Sequence, residues 1–210
     1  MMREDIIACS DKSVYIPSED CVILSDLHLG VVKPDSTYPI MEHEEIDGRI
    51  NDIIEEYSPS KIIFNGDVFS NRRIDPASIE MMESYDERVD DIIFTVGNHE
   101  EKNGGYPTQI KNKYEVCRNK KMGQFLIHHG HHTPPKKAVV HIIGHTHLLR
   151  DGKDVLMFGR HCFYNSDVIV LPKFSNYVGG SELSNVTTKG HCPLLEDGRE
   201  LTSYQVVEEY

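Results

Sequence analysis

At 210 residues the chain has room for one domain with a sizeable core, because domains commonly run to about 100–200 residues, and it reads as a single domain over 1–210. A net charge of -12, from 34 acidic against 22 basic residues, argues against a non-specific nucleic-acid binder, which would need basic patches to neutralise phosphates. No apolar run approaches the roughly 18 residues of a membrane helix. The opening Met1-Met2-Arg3-Glu4-Asp5-Ile6-Ile7 matches neither a signal peptide nor a presequence, and five scattered cysteines without a C-x-x-C pair fit reduced thiols, so a cytoplasmic protein that avoids membranes is expected.

Residues 6–16 read as a hairpin with Asp11-Lys12 at its turn, and a strand over 21–25 follows, ending in Asp26-Leu27-His28 before Gly30. The stretch 31–39 is loop-like. Ile46, Ile50, Ile53, Ile54 and Tyr57 then recur at helical spacing, which predicts a helix over 40–57 whose glutamates form a solvated face. A strand over 61–65 ends in Gly66-Asp67. A second helix starts near Pro76 with Asp75 as N-cap, and a strand over 91–96 ends in Gly97-Asn98-His99.

The second half changes character. Residues 100–112 are polar and turn-rich, and short strands are expected at 114–117, 124–128, 139–143, 154–158 and 167–171, with a closing strand at 204–207. The irregular run 171–180 is placed near the site, and 181–200 reads as surface loop. Strands alternating with helices, followed by a strand-rich finish, point to an α/β protein built as a two-sheet β-sandwich flanked by helices.

Four apolar strands thus finish in side chains able to bind metal, the last being Ile142-Ile143-Gly144-His145-Thr146-His147. Residues i and i+2 of an extended chain face the same side, so His145 and His147 can share one cavity. Taken singly, such residues have dull explanations: an Asp or Asn after a strand is usually a turn former, and a lone histidine is usually hydrogen-bonded filler. Together, Asp26, His28, Asp67, Asn98, His129, His145 and His147 offer oxygen and imidazole donors without thiolate. That mixture suits manganese, iron, cobalt, nickel or zinc better than calcium, magnesium or a structural zinc. Seven ligands are too many for one ion but suffice for two that share a carboxylate.

Asp26-x-His28, Gly66-Asp67, Gly97-Asn98-His99-Glu100, His129-Gly130-His131 and Gly144-His145-x-His147 resemble, in this order, the five-block signature of the calcineurin-like metallophosphoesterases. Ser25-Asp26-Leu27-His28-Leu29-Gly30 and Leu171-Pro172-Lys173-Phe174-Ser175-Asn176 with Gly179-Gly180 are similar to small archaeal phosphoesterases related to SbcD-type nuclease subunits. The resemblance implies two divalent ions, manganese first, and a hydroxide bridging them that attacks phosphorus in a phosphoester, such as a nucleotide or oligonucleotide. It gives Asp26, His28, Asp67 and His147 to one ion and Asp67, Asn98, His129 and His145 to the other. His99 would protonate the leaving oxygen or stabilise the charge developing on it, and a phosphodiesterase is the expected activity.

One position departs from the pattern. Many relatives place a carboxylate or histidine three residues after the bridging aspartate to orient the catalytic histidine, and here Ser70 stands there, so that either Glu100 or a residue from elsewhere does the orienting or His99 is a less activated acid than usual. In the tract 128–132, alternation turns His129 and His131 to the site and His128 and His132 away, with His131 a candidate phosphate contact. His43, His141, His161 and His191 read as structural or surface residues. Tyr106, Lys136 and Lys137 fit either substrate contact or a solvated loop. The competing readings are a non-catalytic binding scaffold, against which the retained His99 counts, and a nuclease of the SbcD type, whose extra DNA-binding regions this length cannot hold. Hydrolysis of a lipid-linked nucleotide diphosphate is disfavoured, because those enzymes carry Arg where His99 stands. Physiological substrate, native metal and oligomeric state are not encoded in these motifs.

Overall fold

The structure is a computed structural model that describes residues 6–9, 11–30, 39–71, 74, 76–132, 140–161, 166–183 and 201–210. The loop 31–38, the Asp75 cap, Lys136, Lys137, Cys162, His191, Cys192 and the polar stretch 184–200 lie outside these residues. Strands β1 (Ile7–Cys9), β2 (Ser13–Ile16) and β3 (Cys21–Leu24) lead into helix α1 (Pro39–Tyr57), β4 (Lys61–Asn65), α2 (Pro76–Ser84) and β5 (Asp91–Thr95). Helices α3 (Asn98–Asn103) and α4 (Thr108–Lys113) follow, then β6 (Glu115–Cys117), β7 (Asn119–Met122), β8 (Phe125–His128) and β9 (Val140–Ile143). The chain ends with β10 (Leu148–Arg150), β11 (Lys153–His161), β12 (Ser166–Val170), β13 (Ser181–Glu182) and β14 (Leu201–Glu209).

The first sheet has the order β1-β2-β3-β4-β5-β6, parallel from β3 to β6. The second runs β13-β10-β11-β12-β9-β8-β7, with β14 also paired to β11, and β8, β9 and β12 are parallel to one another. The two faces of the inner strands explain their unbroken apolar runs, because strands buried on both faces need no polar alternation. Val22, Leu24, Ile62, Phe64, Ile92 and Phe94 join a cluster with Ile46, Ile50 and Ile53 of α1 and Met82 of α2. Cys21, Ile23, Ile63 and Ile93 point the other way, to Ile127, Ile142, Leu156 and Ile169 of the second sheet. Full burial of such a side chain contributes about 1.5–3 kcal/mol, so the sandwich interface and the helix layer hold the strand ends rigidly.

Several expectations need correction. The stretch 100–112 is largely helical, as α3 and α4, and Val89 lies beyond α2, behind a 3-10 turn at Tyr85–Glu87. On α1, Glu44, Glu55 and Glu56 are exposed, but Glu42 is buried. Glu45 is engaged as well: its carboxylate accepts from the Tyr177 hydroxyl at 2.7 Å and fastens the 171–180 segment to the helix. Tyr106 is a core residue, 2% exposed, donating its hydroxyl to the Thr95 carbonyl, and so takes no part in substrate contact. Among the described residues, no helix is long and apolar enough to cross a membrane.

Candidate metal centre

Asp26, Asp67 and Asn98 follow the carboxyl ends of the parallel strands β3, β4 and β5, while His129, His145 and His147 follow β8 and β9 of the facing sheet. All seven residues proposed from the sequence therefore meet where the two sheets open at one end. Asp26 Oδ1 lies 3.0 Å from His147 Nε2, 3.8 Å from His129 Nε2 and 3.9 Å from His28 Nε2. Asp67 Oδ2 lies 3.3 Å from His129 Nε2 and 3.9 Å from His28 Nε2, and His129 Nε2 is 3.2 Å from Asn98 Oδ1. Donor atoms of Asp26, His28 and His147 fall within 4.8 Å of one another, as do those of Asp67, His129 and His145.

The backbone is strained where these side chains leave it. Asp26, His28, Asp67, His145 and His147 have φ of 59°, 52°, 49°, 70° and 44°, the left-handed region, which costs a non-glycine residue about 1–2 kcal/mol. Hydrogen bonds between distant segments hold it: His28 N donates to Asp67 O at 2.9 Å, His145 N to Asp26 Oδ2 at 3.0 Å, and Ser181 N to His147 O at 2.9 Å. Two glycines are needed for close approach. A Cβ at Gly66 would stand 2.5 Å from His129 Nδ1, and one at Gly144 would run into Ser25 Oγ and Asp26 Oδ2.

Three imidazoles are turned by a partner on the ring nitrogen away from the site. His129 Nδ1–H donates to the Asn65 carbonyl at 2.8 Å and His147 Nδ1–H to the Gly179 carbonyl at 3.0 Å. The Ser70 hydroxyl donates to the His28 carbonyl at 3.0 Å, so its oxygen accepts from His28 Nδ1–H at 3.3 Å. Each Nε2 is thereby aimed at the carboxylates, and with Nδ1 engaged it is the nitrogen that a metal would bind in place of a proton.

The departure at position 70 thus has a structural answer: Ser70 orients His28. Glu100 does not orient His99 either. Its buried carboxylate accepts from the backbone N–H groups of Asp67, Val68, Phe69 and Gly97 at 2.9–3.1 Å, capping α3 and gripping the loop that carries Asp67. Burial, then Asp67, raises the pKa of Glu100 to about 7 against those four donors. His99 donates its backbone N–H to Asp67 Oδ1 at 2.8 Å, and its Nε2 sits 3.9 Å from Asp67 Oδ2, its ring edge-on to His28. The ring borders an open cleft of about 510 Å³ shared with His28, Ser70, Asn71, His147 and Gly179.

The remaining histidines divide as alternation implies only in part. His128 turns away and meets His141 within the second sheet, Nε2 to Nδ1 at 3.1 Å, and His43 bonds Ser78 between α1 and α2 at 3.0 Å. His131 leans instead toward Glu101, 3.3 Å away, beside His132. The 171–180 segment does reach the site, through Gly179 and through Phe174 N and Ser175 N, which donate to the Ser25 and Asp26 carbonyls.

Electrostatics test whether divalent ions fit. Burial would raise the pKa of Asp26, but the imidazoles of His147 and His129 outweigh it and hold the carboxyl well below the usual range; for Asp67, too, burial pulls upward and the hydrogen bond from His129 lowers the pKa. Conversely, burial lowers His129, yet Asp26 and Asp67 raise it to about 9. Two nearly inaccessible carboxylates thus recruit protons on imidazole as counter-charge, a task that divalent cations fulfil with the same donors.

The calcineurin-like phosphoesterase family profile matches residues 21–195. The chain belongs to that family. The calcineurin-like fold accounts for the two mixed sheets and few helices seen here. Among solved structures, the nuclease MPE of Pseudomonas putida is 20% identical with a TM-score of 0.68, covering 93% of this chain and 94% of that one. A predicted phosphoesterase from Streptococcus pneumoniae is 14% identical with a TM-score of 0.36, covering 76% and 75%. No curated protein matches the sequence.

Proposed function

We propose that this member of the family is a dinuclear metal-dependent phosphodiesterase. The observation that carries the reading is the placement of Asp67 between two donor groups, its Oδ2 facing His129 on one side and His28 on the other. Asp26, His28, Asp67 and His147 would hold one ion, and Asp67, Asn98, His129 and His145 the other, with manganese the first choice and iron, zinc, nickel or cobalt compatible with the donors. When bound, the ions would supply Lewis-acid charge to the phosphoryl oxygens and lower the pKa of an attacking water. His99, on the wall of the cleft and close to Asp67, carries the proton to the leaving oxygen. Ser70, Asn65 and Gly179 fix three ligand rings before substrate arrives, and Glu100 fixes the loop of the shared aspartate. The test is hydrolysis of bis(p-nitrophenyl) phosphate with added manganese and its abolition by EDTA, extended to cyclic nucleotides and oligonucleotides. Absence of turnover by metal-loaded protein on any phosphomonoester or diester would leave only the binding-scaffold reading.

A further inference from the structure

Beside the Asp67-centred residues lies a second group of donors. Glu101 of α3 points its Oε2 at two adjacent imidazoles, His131 Nε2 at 3.3 Å and His132 Nε2 at 2.9 Å, and the donor atoms of all three converge within 4.8 Å. The two rings lie 4.1 Å apart between centroids. Both ring nitrogens of His131 are sealed from solvent; Nε2 faces only the Glu101 carboxylate, Nδ1 has no hydrogen-bond partner among the described residues, and Glu101 Oε1 pairs with Arg118 at 3.2 Å. A buried ring nitrogen left in this way calls for a partner. A cavity of about 80 Å³ opens alongside, between His131, His132, Arg118 and Asn119, enough for an ion and one or two waters at about 30 Å³ each.

The carboxylate at the centre of the group repels an anion and attracts a cation, and the two imidazoles select against calcium and magnesium, which prefer oxygen shells. We propose that Glu101, His131 and His132 form a third divalent-cation site, of the zinc, cobalt or nickel class, at the rim of the small cavity beside His129 and distinct from the pair sharing Asp67. Three protein ligands leave at least one position open to water or to an oxygen of a bound ester. The site adjoins the main centre, since the His131 ring lies 5.4 Å from that of His129 and 6.1 Å from that of His145.

The experiment is metal counting per chain after equilibrium dialysis of the full chain against micromolar zinc, repeated with cobalt, whose visible absorption reports coordination. Wild type should hold three ions, and Glu101→Gln and His132→Ala should each hold two with the melting temperature of the metal-free protein unchanged. Asp67→Asn should retain the rim ion while losing one or both of the others. If wild type and both rim variants bind two ions alike, Glu101 and the imidazoles are an ordinary ion pair and the third site does not exist, while the dinuclear reading stands. If the rim variants lose one ion and Asp67→Asn loses none, the third site stands and the dinuclear reading fails.

Discussion

Two histidines of the candidate centre, one from each half, differ in how they meet solvent. The His129 side chain is fully enclosed, against the Asn65 carbonyl and Asn98, whereas the His147 side chain is 18% exposed and borders the cleft together with His28 and His99. His129 is therefore an anchor built into the sandwich, and His147 faces what enters. The comparison teaches that similar donor sets can serve different tasks when burial differs: an enclosed ligand is held by many neighbours, while an exposed one keeps room for an exchanging molecule.

Replacing the residue common to both halves should have the largest effect. Asp67→Asn is expected to lower kcat/KM at least about 10³-fold and to reduce the bound ions below two per chain, exceeding the roughly 10–100-fold typical of residues behind the ligands. Full metal content with full activity would remove Asp67 from its bridging place. His99→Ala tests the open half alone. It should lower kcat about 10²–10⁴-fold on an alkyl diester, leave the metal content intact, and cost much less with a p-nitrophenyl leaving group, which departs without a proton. An equal loss on both substrates would contradict the acid role.

Glu100→Ala should act mainly on folding, because four backbone N–H groups lose their acceptor. Urea denaturation is expected to show a loss of about 3 kcal/mol or more, with activity falling as the Asp67 loop relaxes. Glu100→Gln, which keeps an acceptor, should recover part of the stability. Ser70→Ala is the smallest change: His28 loses its guide, and the affinity for one ion should drop about tenfold while the other is untouched. Equal weakening of both ions in a titration would mean that the halves are not separable.

The sequence made some of this legible and hid the rest for physical reasons. Core strands announced themselves because both their faces are buried, and α1 because its isoleucines repeat at helical spacing. Short helices α3 and α4 did not, since each is six residues long and Ile110 is the single buried apolar side chain among them. Strand β7, Asn119-Lys120-Lys121-Met122, carries the polar residues that protect a sheet edge and so lacks an apolar signature. The seven donors were visible as strand endings. The roles of Glu100 and Ser70 were not, because the Asp67-loop partners of Glu100 lie 31–33 residues away and the His28 partner of Ser70 lies 42 away, contacts that exist only once β3, β4 and β5 are paired.

The central claim is that two ions share the Asp67 carboxylate, with His145 on one and His147 on the other. Anomalous scattering from a manganese-loaded crystal tests it most directly. The account predicts two peaks roughly 3.5–4 Å apart flanking Asp67, each taking one of these histidines. A single peak at Asp67, or both histidines on one ion, would contradict it.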